Sequence, residues 1–181
     1  MKNNIYNYIM FQDISNFYNV NDYLPLLNSA IITDLIVILM LEQKYIKSKI
    51  LKEWYTKFHL GAFIADVLSI IIGVVIARFI YTSFGLKWNI LLFIIVVVFV
   101  QLTHDLLFAK LFYSFPRKIS SILDVFKDYA NELGTRILLA DAQMVTVTVI
   151  LGSLLSNMGQ NSNIVLLIFL IYLTPYFLFS L

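Results

Sequence analysis

Residues 89–110 read NILLFIIVVVFVQLTHDLLFAK. From Ile90 to Val100 no polar side chain interrupts the run. Four polar or charged residues, Gln101, Thr103, His104 and Asp105, then follow before the next basic residue, Lys110. A bilayer core needs about 20 apolar residues per helix, and the apolar character here extends over roughly 90–113. The stretch therefore predicts a membrane-spanning helix with a polar cluster toward one end.

The rest of the chain repeats this pattern. Four other segments are long and apolar enough to span: roughly 24–42, 60–82, 134–156 and 164–181. The first is interrupted by Pro25, Asn28 and Asp34, and the last is expected to kink or end at Pro175. The chain has 181 residues, of which 60% are hydrophobic and 13% charged, and its mean hydropathy is +0.84. A soluble domain would carry about a quarter charged residues. The predicted fold is an all-α polytopic membrane bundle of about five transmembrane helices plus two amphipathic interfacial helices. It forms one domain, residues 24–181, preceded by an interfacial segment, residues 1–23, that holds six aromatic residues. The absence of cysteine excludes thiolate metal sites and disulfides.

Charge sets the expected orientation. Of the 13 Lys and Arg residues, all but Lys2, Arg78 and Lys87 fall between 44 and 57 or between 110 and 136. The positive-inside rule places both regions in the cytoplasm, the N-terminus outside and the C-terminus inside. Arg78, near the outer end of its span, is expected to snorkel. Both basic connections have helical apolar periodicity: Ile46, Ile50, Leu51, Trp54 and Phe58 in one, and Ile119, Ile122, Leu123, Phe126 and Leu133 in the other. Lys44, Lys47, Lys49, Lys52, Trp54, Lys57, Arg117 and Lys118 are the residues expected to anchor these helices at the membrane surface, against anionic lipid headgroups. The bilayer and its headgroups are thus the expected partners, with homo-oligomerisation open. Nothing in the basic pattern calls for nucleic acid.

The two halves share an order of signals. Thr33–Asp34–Leu35, a basic amphipathic stretch, Leu60–Gly61 and Ala65–Asp66 recur as Thr103–His104–Asp105–Leu106, a second amphipathic stretch, Leu133–Gly134 and Ala140–Asp141. At about 1.5 Å per residue, Asp34, Asp66, Asp105 and Asp141 all come out about 9–12 Å from the same ends of their helices. A charge at a helix centre costs roughly 2.5–3.5 kcal/mol in the bilayer, so the four should face the bundle interior. Small residues beside them support this. Ala62, Ser69, Gly73 and Ala77 share a face with Asp66; Gly134, Thr148, Gly152 and Ser156 share one with Asp141.

Three functional readings follow. Asp34, Asp66, Gln101, His104, Asp105 and Asp141 are candidates for a proton or small-cation pathway, with a monovalent or divalent cation as candidate cofactor. Clustered carboxylates repel, so one would hold a proton near neutrality, and an imidazole such as that of His104 could exchange it. Alternatively the same residues only fix helix packing in a structural membrane component. The third reading is a divalent-metal enzyme acting on lipid. Catalytic signatures are missing, including Gly-x-Ser-x-Gly, His-Glu-x-x-His and a phosphate-binding glycine loop.

Residues 103–144, THDLLFAKLFYSFPRKISSILDVFKDYANELGTRILLADAQM, and the ending NSNIVLLIFLIYLTPY resemble small uncharacterised polytopic membrane proteins of large DNA viruses of eukaryotes. His104–Asp105, Pro116–Arg117, Phe126–Lys127, Tyr129–Ala130, Glu132, Gly134 and Asp141 carry the resemblance. It implies a virion or host-cell membrane as the setting and carries no activity with it.

Overall fold

A computed structural model describes residues 11–181. The part of the expected interfacial segment formed by residues 1–10 lies outside them. Among the described residues seven α-helices follow one another: α1 Tyr23–Glu42, α2 Lys49–Phe58, α3 Leu60–Ser83, α4 Ile90–Ser114, α5 Ser121–Leu133, α6 Arg136–Leu155 and α7 Gln160–Leu178. Five of them, α1, α3, α4, α6 and α7, are long and apolar enough to cross a bilayer. The two short ones are the amphipathic helices of the basic connections. The protein is an all-α membrane bundle.

Helices α1, α3, α4 and α6 close a ring, with contacts α1–α3, α3–α4, α4–α6 and α6–α1. Helix α7 packs on α1 from outside. This makes α1 the most enclosed span: 61% of its apolar window is buried, against 39% for α3 and less for the others. The polar interruptions of α1 now have a cause. Asn28 donates to the Asn163 side-chain and backbone oxygens of α7, at 3.1 and 2.9 Å. Thr33 meets Thr148 of α6 at 3.0 Å. Polar side chains here find partners on other elements, although Asn28 Oδ1 and Asp34 Oδ2 take no donor, whereas the faces of α3, α4 and α7 turned outward carry exposed Ile, Leu and Phe suited to lipid.

The shared signals of the two halves correspond to shared structure. Exchanging α1–α2–α3 with α4–α5–α6 maps α1–α3 onto α4–α6, α1–α6 onto α3–α4 and α2–α3 onto α5–α6, while α2–α5 maps onto itself. The short helices begin alike: the Ser48 hydroxyl accepts from the Leu51 N–H and the Ser120 hydroxyl from the Leu123 N–H. They also end alike, on His59 (φ 44°, ψ −119°) and Gly134 (φ 56°, ψ −134°). This positive-φ corner lets a surface helix turn directly into a span.

Two expectations need correction. Of the two outcomes expected at Pro175, an end to the helix is overturned: α7 continues through it to Leu178. So near the helix end a proline costs only one N–H, and the chain completes its last turn. Arg78 does not snorkel. It is fully buried, ion-paired to Asp22 at 3.1 Å, with its Cζ 4.4 Å from the centre of the Tyr23 ring. It also donates to the backbone carbonyls of Asn16 and Asn19. Residues 11–22 form a strap across this end of the bundle, and Arg78 is what they wrap. Further ties run from the Phe17 N–H to Thr82 and from the Ser153 hydroxyl to the Gln12 carbonyl.

Candidate functional site

Each of the four ring helices contributes one carboxyl group: Asp34 from α1, Asp66 from α3, Asp105 from α4 and Asp141 from α6. Helix α7, outside the ring, contributes none. The groups are near enough to interact in pairs. Asp34 senses Asp66, Asp105 and Asp141 meet carboxyl to carboxyl, and Asp141 senses Asp66. Asp34 is fully buried; the other three are half-buried.

Two of the donors come from the surface helix α2. Tyr55 and Trp54 are neighbours on α2. The Tyr55 hydroxyl donates to Asp34 at 2.7 Å, and the Trp54 indole donates to Asp66 at 2.9 Å. One short helix thus ties two spans. Trp54 is 5% exposed, so its expected role as a membrane-surface anchor is overturned: its N–H is spent on a carboxylate and its ring packs on Phe126 of α5, 5.0 Å away. Burial, then the Asp34 and Asp66 charges, push the Tyr55 hydroxyl well above the ordinary tyrosine range, so it remains a donor. Tyr129 of α5 is pushed up likewise, by burial and then by Asp141, Asp66 and Glu132.

On α4, Gln101 is buried and its amide donates to Asp105 at 2.8 Å. The His104 Nδ1 lies 3.1 Å from the same Asp105 oxygen. The His104 ring stacks on Phe108, and its side chain is 42% exposed. His104 and Asp105 are thus paired with each other, a contact that successive helical positions about 100° apart do not suggest. Lys44, Lys47, Lys49, Lys52, Lys57, Arg117 and Lys118 are exposed at the same end of the bundle. Lys57 pairs with Glu53 at 3.3 Å and Arg117 with Asp128 at 2.7 Å.

Sequence reasoning missed three groups. Tyr55 was hidden because a tyrosine in an amphipathic helix reads as interfacial. The Asp22–Arg78 pair spans 56 positions, and its only signal was a lone arginine in an apolar helix. Glu132, at the last turn of α5, accepts from the Ser48 hydroxyl at 2.7 Å and from the Lys49 and Ile50 N–H groups at 2.9 and 3.1 Å. It caps the positive end of α2 and joins the two surface helices end to end. Its exposed carboxyl feels some burial pushing it up, but these three donors prevail and hold it below its usual range.

Among the described residues, no three His, Cys, Asp or Glu side chains converge as a metal site requires. The chain matches no known protein family, no curated protein and no solved structure.

Proposed function

We propose that this chain is a structural membrane protein whose acidic layer fastens a cationic platform to the bilayer surface. The observation that carries the reading is the pair of donors, Trp54 and Tyr55, reaching from one surface helix to carboxyl groups on two different spans. An isolated basic amphipathic helix binds membranes reversibly. Helix α2 is instead fixed by the layer on one side and by Glu132 at its end, and its lysines face out as a rigid surface for anionic headgroups. The setting we propose, from the resemblance of residues 103–181, is a virion or host-cell membrane, with the basic face cytoplasmic.

A second reading, proton or small-cation binding at the layer, is favoured by a different observation. Asp34 Oδ2, Gln101 Oε1 and Asp105 Oδ2 are buried acceptors without a donor. Buried acceptors of this kind are costly unless a proton, water or cation satisfies them.

One set of measurements separates the two. Under the structural reading, proteoliposomes of the wild-type chain show no more dissipation of a pH or cation gradient than empty liposomes. Tyr55→Phe together with Trp54→Phe then speeds hydrogen exchange across α2 by tenfold or more, as expected when about 1–3 kcal/mol of satisfied buried polarity is lost. Gradient dissipation well above empty liposomes, abolished by Asp66→Asn, would overturn the structural reading in favour of the second.

A further inference from the structure

Helix α6 carries a polar group on the face opposite its carboxyl. Gln143 lies two positions beyond Asp141, about 200° around the helix, and its side chain is exposed. It sits about 10 Å along a 20-residue span, on a face shared with exposed Leu139 and Val147. Among the described residues its amide has no hydrogen-bond partner. A shallow groove of about 320 Å³ runs past it, lined by Leu139, Ala142, Gln143, Thr146 and Val147.

An amide facing hydrocarbon is unsatisfied on both its donor and acceptor sides. Lipid tails offer neither. A glutamine side chain is also too short to reach headgroups from this depth. Beside it, Ala142 and Thr146 stand four residues apart, the spacing of small side chains that lets two membrane helices approach closely. Thr146 folds its own hydroxyl back onto the Ala142 carbonyl at 2.7 Å, which leaves its methyl group for packing.

We infer that this face of α6 is a homodimer interface in which Gln143 of one copy pairs with Gln143 of a second. The primary amide is self-complementary. Two copies related by a two-fold axis through this position exchange one N–H···O=C bond in each direction, and an isologous contact closes after two subunits. A second copy is favoured over an unrelated partner because the pairing needs no group that the chain itself lacks. The groove on each copy receives the Leu139 and Val147 side chains of the other.

The chain is free of cysteine, so labelling at introduced cysteines is unambiguous. The test uses the full chain in liposomes over a range of protein-to-lipid ratios, with intermolecular energy transfer between dyes at Ser121→Cys. Energy transfer should saturate at a stoichiometry of two. Gln143→Leu, at an exposed site where folding is not at stake, should weaken association by about tenfold, the value of two interhelical hydrogen bonds. Gln143→Asn should retain part of it. Val147→Cys should cross-link copies under mild oxidation, and Ile72→Cys, on the exposed face of α3, should not. Energy transfer at the level of random collision, or association unchanged in Gln143→Leu, would overturn the inference.

Discussion

At the scale of single residues, most of the polar chemistry of this protein is spent on joining elements. Glu132 is the clearest case, because it sits on the surface and yet is held by three donors of α2. Its folded-state ionisation lies below the ordinary value of 4.5. The sign of the pH effect follows. A depressed carboxyl contributes stability that is complete above the unfolded value and is lost as the pH falls through the folded one. Below about pH 4.5 the α2–α5 junction should therefore loosen. Trp54 reports it, since its ring lies against Phe126 across that junction. In a Trp88→Phe background, its emission should shift to the red on acidification. Glu132→Gln should show the shifted emission already at neutral pH and little further change. An emission spectrum in Glu132→Gln identical to that of the parent at neutral pH would show that the carboxylate is not what holds the junction.

At the scale of elements, the spans were legible because lipid imposes a simple rule: about 20 apolar residues, and few charges except where protein covers them. Periodicity likewise exposed the two surface helices. The rank order of the spans was not legible. Helix α1, with Pro25, Asn28 and Asp34, looked like the most compromised span and is the central one, because its polar groups are answered by Asn163, Thr148 and Tyr55 on other elements. Such answers depend on three-dimensional neighbours that no local pattern states. The four aspartates could be placed in one layer by counting residues, but their donors could not be. The same logic separates two glycines. A Cβ on Gly152 of α6 would come within 2.8 Å of Leu26 Cδ2 and 3.2 Å of Ser29 Oγ on α1, whereas a Cβ on Gly61 meets nothing within 4 Å. Overpacking a tight seam costs about 1–3 kcal/mol, and replacing a helical glycine by alanine returns up to about 1 kcal/mol. Gly152→Ala should lower the midpoint of thermal unfolding in detergent, and Gly61→Ala should leave it unchanged or raise it. The opposite order would mean that α1 and α6 are not in close contact.

At the scale of the whole molecule, the arrangement separates two ends of different character. One end carries α2, α5 and most of the exposed lysines and arginines, with α2 fastened to the carboxyl groups of Asp34 on α1 and Asp66 on α3. The other carries the strap of residues 11–22, fastened by the buried Asp22–Arg78 pair. Among the described residues the bundle thus places its exposed cations, Lys87 excepted, at one end and locks its one buried arginine at the other, which is the asymmetry that the positive-inside rule reads. From this we predict that the basic end faces the cytoplasm, with five crossings between Tyr23 and Leu178. Single cysteines at Lys47 and Ser121, both exposed at the basic end, and at Ser162, exposed at the start of α7, allow a direct check with a membrane-impermeant thiol reagent. In intact cells only Ser162→Cys should react. In inside-out vesicles Lys47→Cys and Ser121→Cys should react, and Ser162→Cys should be protected. Labelling of Lys47→Cys and Ser162→Cys from the same side would break the alternation that five spans require. Labelling of all three from the sides opposite to these would keep the spans but reverse the molecule, and the basic platform would then face away from the anionic leaflet it is proposed to engage.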